Sequence, residues 1–173
     1  MESKPLQLSF LILVTAILLF IAAWMPLNKH YVFIDNKTGN IAAHLPVNAR
    51  DFQIEYTHSI HLSEVIESYK VLPDNNLRMV ELEYEDFNIG MPSNAGEGET
   101  FVEKDGKYFI TGMKRELPDF RIFIGDIDAG LSFKNNGRKY DLKKTLTRGE
   151  SYTFKVQRLS LIQQLRGVNI DEQ

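Results

Sequence analysis

From Leu6 to Met25 the chain carries no charged side chain, only leucine, isoleucine, alanine, phenylalanine and a few small polar groups. Twenty helical residues rise roughly 30 Å at about 1.5 Å each, the thickness of a bilayer core. Such a run cannot share a core with the polar remainder, so it divides the chain into an apolar helix and one domain of ordinary size. Trp24 stands at the far end, where an indole suits the headgroup layer, and Lys4 and Lys29 flank the run. The competing reading is a cleaved signal peptide. Its apolar stretch is normally shorter, and the tolerable cleavage site after Ala23 has Ile21 at the −3 position. An uncleaved anchor is therefore the expectation. Lys4 is offset by Glu2 while Lys29 and Lys37 lie just beyond the helix, so loop charge only weakly favours a domain outside the cytoplasm.

Past Pro26 the pattern is β. Tyr31–Ile34 and Ile41–Leu45 are short β-type runs broken by Asp35-Asn36, Gly39 and Pro46. Phe52, Ile54 and Tyr56 alternate with Gln53, Glu55 and Thr57, and Val65–Val71 is the expected hairpin partner. Val80, Leu82 and Tyr84 alternate with Glu81, Glu83 and Glu85, which predicts one buried face and one row of carboxylates. Two further hairpins are predicted: Thr100–Glu103 with Tyr108–Thr111 around Lys-Asp-Gly, and Leu131–Lys134 with Lys139–Leu142 around Asn-Asn-Gly. Phe120–Ile124 and Tyr152–Val156 alternate as well. Leu159–Leu165 fits either a short amphipathic helix or a last strand. About ten short strands predict an all-β antiparallel sandwich or open barrel behind one transmembrane helix. The corresponding division is a tail (1–5), an anchor (6–25), a connector (26–40), a β domain (41–158) and a C-terminal segment (159–173).

Composition removes several functions. The 20 basic residues are outnumbered by 23 acidic ones, so no basic surface for nucleic acid is implied. Cysteine is absent, which excludes disulfides, thiolate metal sites, cysteine nucleophiles and a lipid-modified cysteine anchor. No cofactor-binding motif is present.

Ionisable groups are concentrated in Phe52–Val71, FQIEYTHSIHLSEVIESYKV, inside otherwise apolar, β-branched runs. Burial there is costly for a charged group unless it is paired or used. A metal site would combine His58 and His61 with Glu64 or Glu67, but residues three apart on a strand face opposite ways, so it requires a turn between the histidines. No metal is therefore assigned. His58-Ser59 invites a hydrolase reading, yet adjacent strand residues diverge and no Gly-x-Ser-x-Gly elbow follows. Glu67 lies between Val65 and Tyr69 on the partner strand, where a cross-strand contact with His58 would fix the imidazole tautomer. That contact is the expectation, as a polar tie or as part of a small-ligand or partner site. Asp126-Ile127-Asp128-Ala129-Gly130 lacks the later ligands of a calcium loop and reads as a turn. Asn36-Lys37-Thr38 fits the glycosylation acceptor pattern. Lys134–Arg148 is a basic stretch, expected to be a solvated hairpin.

Taken together, Tyr56-Thr57-His58-Ser59, Val65-x-Glu67-x-Tyr69, the Phe87…Gly90-x-Pro92 loop, Gly137-Arg138-x-Tyr140-x-Leu142 and the strand within 149–158 resemble the domain-of-unknown-function family 1850. The resemblance spans about residues 41–158. It implies a small anchored or secreted protein often encoded beside tripartite (TRAP) transporters of the TAXI type, which take up organic acids. The implied role is an extracytoplasmic accessory protein at the cell membrane. Its implied partners are the bilayer and the TRAP membrane subunit or its solute-binding protein. The implied ligand- or partner-binding positions are Tyr56, His58, Ser59, Glu67, Gly90 and Pro92. The alternative is an anchored small-ligand or metal-binding module, or a hydrolase, using His58 and Glu67.

Overall fold

A computed structural model describes residues 3–59, 62–85 and 91–172. Helix α1 (Ser3–Trp24) comes first. Its segment Gln7–Trp24 is long and apolar enough to cross a membrane, and none of it is buried against the rest of the protein. The strands that follow are β1 (Asn28–Asp35), β2 (Ile41–Pro46), β3 (Asp51–Thr57), β4 (Glu64–Val71), β5 (Leu77–Tyr84), β6 (Thr100–Lys104) and β7 (Lys107–Thr111). After them come β8 (Glu116–Leu117), β9 (Phe120–Phe123), β10 (Leu131–Asn135), β11 (Arg138–Asp141), the short helix α2 (Leu142–Thr145) and β12 (Ser151–Leu159). Helix α3 (Leu161–Gln164), β13 (Val168–Asn169) and a 3-10 turn (Ile170–Glu172) end the chain.

The strands form two sheets, in the orders β13-β2-β1-β12-β9 and β11-β10-β3-β4-β5-β7-β6, with β8 also on β5. All pairings are antiparallel except β13 on β2. The fold is an all-β sandwich behind one N-terminal helix. Residues 26–40, read from sequence as a connector, contain β1, which occupies the centre of the five-stranded sheet.

Between the sheets lies a packed set of rings. Phe154 meets Tyr31, Phe33, Phe52, Phe120 and Phe133 with every centroid within 5.8 Å. Both predicted Gly turns form as two-residue reversals with two successive positive φ values, at Asp105-Gly106 and Asn136-Gly137. The residue before the second, Asn135, is buried. Its amide donates to the carbonyls of Asp51 (2.8 Å) and Ala49 (3.1 Å). In β5 the alternation breaks. Ser68 pairs with Glu81 and Tyr69 with Met79, so Val80 is an extra residue in a bulge. Leu77 and Met79 before the bulge and Leu82 and Tyr84 after it therefore share the buried face, while Val80 is half-buried.

The basic stretch Lys134–Arg148 is largely neutralised from within. Lys134 (3.3 Å) and Lys139 both bind the buried Glu55, Arg138 binds Asp171 (2.5 Å), and Arg148 binds Asp128 (3.1 Å). Burial of Glu55 pushes its pKa up, but the two ammonium groups prevail and hold it below the ordinary carboxylate value. Asn36, the glycosylation candidate, uses its amide instead to bridge Ser151 (3.0 Å) and Thr153 (2.7 Å).

Of the stretch Leu159–Leu165, Leu159 closes β12 and Leu161–Gln164 form the helix α3. A capping box between Ser160 and Gln163 starts α3, and the chain then returns along β2. Gly167 is required at that return: a Cβ there would lie 2.7 Å from Ile41 Cγ2 and 3.3 Å from the Ile41 carbonyl oxygen. Beneath it lie His30 and His44, both buried, with ring centroids 5.2 Å apart. His30 Nδ1–H donates to the Asn28 carbonyl (3.0 Å) and His44 Nε2–H to that of Gln164 (2.9 Å). Burial, opposed by the Asn28 carbonyl and reinforced by His44, lowers the His30 pKa from its ordinary 6.5. The unfolded chain then binds a proton near pH 6.5 that the native state resists. His30 leaves stability untouched above pH 6.5 and erodes it as pH falls from there towards the lowered native value. Urea unfolding of the full chain in detergent should show a declining midpoint from pH 7 to 5.5, and His30→Gln should flatten part of the decline.

Candidate functional site

At one end of the sandwich, β3, β4 and β9 and the loop 125–131 enclose a cleft of about 520 Å³. Its walls are mainly apolar (Ile54, Phe120, Ile122, Leu131), and Tyr56, His58, Ser59, Glu67 and Lys143 supply polar groups. That volume falls in the range that holds a small organic molecule.

The register of the β3–β4 hairpin determines how the polar groups meet. Tyr56 pairs with Val65, and Ile54 with Glu67, so Glu67 lies on the inner face of its sheet. Its carboxylate accepts hydrogen bonds from the Tyr69 hydroxyl (2.7 Å) and, at longer range, the Tyr56 hydroxyl (3.4 Å). Burial, followed by the Glu67 charge, drives both phenols far above the ordinary tyrosine range, so they remain donors. The hydrogen bonds that reach the Glu67 carboxylate thus come from Tyr69 and Tyr56, where His58 was the expected partner. The chain reverses directly after His58, whose N–H donates to the Ser63 carbonyl (2.8 Å) and whose carbonyl accepts from Leu62 (2.9 Å). His58 is therefore four residues along β3 from Ile54, the residue opposite Glu67, a separation of roughly 13 Å. Both side chains line the cleft, and the shorter hydrogen bond to the carboxylate comes from Tyr69.

Backbone hydrogen bonds tie His58 to Leu62 and Ser63, with Leu62 at a φ of 57°. His61 lies outside the described residues, and Glu64 faces Thr57 across the hairpin. Among the described residues, no group of three or more histidine, aspartate or glutamate side chains converges on one point. Ser59 is exposed beside His58. Gly90 is likewise outside the described residues. Pro92 does not reach the cleft: its carbonyl accepts the Tyr84 hydroxyl, two strands away from β3. The Asp126–Gly130 segment forms one wall of the cleft, with Lys143 Nζ donating to the Ile127 carbonyl (2.6 Å). Tyr69, part of the Val65-x-Glu67-x-Tyr69 motif, and Lys143, part of the basic stretch, were not among the expected binding positions. Tyr69 carried a signal, standing two residues from Glu67 on the same strand face. Lys143 carried none for this cleft, since only the tertiary fold packs α2 on β10 and brings Lys143 to the lining.

Exposed apolar and charged side chains share the mouth of the cleft, Phe123 and Ile127 beside Arg121 and Asp126. Phe123 is 62% exposed and Ile127 48%. Exposed side chains of that size grouped around a concavity mark an interaction site.

An apolar helix thus leads into a two-sheet β sandwich with a cleft at one end. The chain belongs to the domain-of-unknown-function family 1850 (DUF1850), whose pattern matches residues 52–142, more than half of its 173 residues. No curated protein and no solved structure matches it.

Proposed function

We propose that this chain is a membrane-anchored, extracytoplasmic accessory protein of a solute uptake system of the TRAP type, and that the end cleft is its contact with a partner. The observation that carries the reading is the position of the cleft relative to the anchor. β1 starts at Asn28, shortly after α1 ends at Trp24, and β3 starts at Asp51, opposite Lys70 near the end of β4; Asn28, Arg50 and Val71 border one concavity at that end of the sandwich. β3 then runs seven residues to Thr57 at the cleft, roughly 20 Å away. The mouth of the cleft thus points away from the bilayer, toward a soluble or protruding partner such as a solute-binding protein or an exposed part of the transporter.

The test is mild detergent extraction of the tagged full chain. The transporter membrane subunit or its solute-binding protein should co-purify, and Phe123→Ser should abolish recovery without lowering the yield of the chain. Recovery of no transport component, together with normal uptake in a deletion strain, would remove the proposal.

A second reading is favoured by the cleft volume and by Glu67 at its wall: the domain binds a small ligand. Ligand-dependent thermal shifts with a panel of organic acids, and their loss in Glu67→Ala, separate the two.

A further inference from the structure

The opposite end of the sandwich carries a second cleft, of about 550 Å³, formed where β1, β2, β4 and β12 come together beside the end of α1. Leu27 lines it, three residues after Trp24 closes the membrane helix. Three cations line it as well: Lys29 at the start of β1, Arg50 in the turn between β2 and β3, and Arg158 near the end of β12. None of the residues lining this cleft is acidic.

The cations are only partly used by the fold. Arg158 donates one guanidinium N–H to the Leu27 carbonyl, and Lys29 Nζ lies 3.5 Å from the Pro73 carbonyl. The Arg50 side chain makes no hydrogen bond or ion pair with any described residue. Asp51, its neighbour in sequence, is paired with Lys70 at 3.8 Å. A guanidinium has five donors and an ammonium three, so most of this donor capacity is unspent. Three positive groups around a concavity, with no carboxylate among them, are matched by a phosphate oxyanion.

The surroundings select the source of that phosphate. α3 follows β12 directly and packs on α1. On and just beyond it, Leu161 is 56% and Leu165 83% exposed, and Leu27 is 55% exposed. Apolar side chains beside a basic cleft at the end of a membrane helix match the chemistry of the interface, with acyl chains below and headgroups alongside.

We infer that the cleft of Lys29, Arg50 and Arg158 binds the headgroup of an anionic phospholipid and seats the sandwich on the bilayer, leaving the far cleft outward. The inference rests on α1 being retained as an anchor, but not on the identity of the transport partner.

The experiment uses the full chain in mild detergent, titrated with phosphatidylglycerol, phosphatidylcholine or inorganic phosphate while thermal unfolding is followed. Phosphatidylglycerol should raise the unfolding temperature, and the other two should not. Lys29→Gln with Arg50→Gln should need on the order of tenfold more phosphatidylglycerol for the same rise. Arg50→Gln alone, which breaks no contact of the fold, should show a smaller loss in the same direction. Equal shifts from both lipids, a shift from inorganic phosphate of the same size, or an unchanged titration in both variants would overturn the headgroup site. A chain that stays in solution without detergent after cell breakage would instead overturn the anchor itself. Loss of transporter co-purification alone would leave the headgroup site standing.

Discussion

Phe154→Ala should be the most damaging single substitution in the β domain, lowering its stability by about 3–5 kcal/mol. Phe154 is fully buried and joins rings from both sheets: Tyr31 and Phe33 on β1, Phe52 on β3, Phe120 on β9 and Phe133 on β10. Its removal leaves a cavity that neighbouring rings, held by their own strands, cannot close. Domains of this size have roughly 5–15 kcal/mol to lose, so the variant sits near the edge of folding. Urea unfolding of the full chain in detergent measures the difference. Phe123→Ala is the control. That side chain is 62% exposed, and its loss should change stability by no more than about 0.5 kcal/mol.

The second large effect concerns Glu67. Glu67→Ala strands two phenols that are mostly shielded from water, and Tyr69→Phe removes the shorter of the two hydrogen bonds, at 2.7 Å. Each change should cost about 1.5–3 kcal/mol, the range for hydrogen bonds to a charged group. Because the two side chains share one interaction, the double variant should cost less than the sum by about 1 kcal/mol or more. Glu67→Ala with His58→Ala should instead be additive within about 0.5 kcal/mol, since the hairpin register separates them. Strong coupling of Glu67 to His58, and none to Tyr69, would mean that the hairpin is out of the register described.

What the residues revealed in advance follows their periodicity. Alternation in Phe52–Thr57 and turn chemistry at Asp105-Gly106 and Asn136-Gly137 are local, and they placed strands and hairpins close to their observed limits. The bulge at Val80 was not legible. A single extra residue leaves the alternation of Leu82 and Tyr84 intact and reverses only its relation to Leu77 and Met79. The same limit applies to the site. Tyr56, His58, Ser59 and Glu67 do share one cleft, but the pairing within it depends on where the chain reverses, and one residue at the turn moves every contact. Asn135 reads as the first residue of a turn, yet works as a buried donor to backbone on the opposite strand. The Lys29–Arg50–Arg158 cleft draws on three separate stretches of chain, so no window of sequence contains it.

The proposed contact joins the outward cleft of the anchored β domain to a component of a solute uptake system. Its most direct test places a photo-crosslinking amino acid at Phe123 in the full chain, with Leu165 as the membrane-side control, and illuminates intact cells. The account predicts an adduct at Phe123 that contains the transporter membrane subunit or its solute-binding protein, and none of that adduct at Leu165. A membrane-inserted chain that gives no such adduct at Phe123, or gives it equally at Leu165, would contradict it.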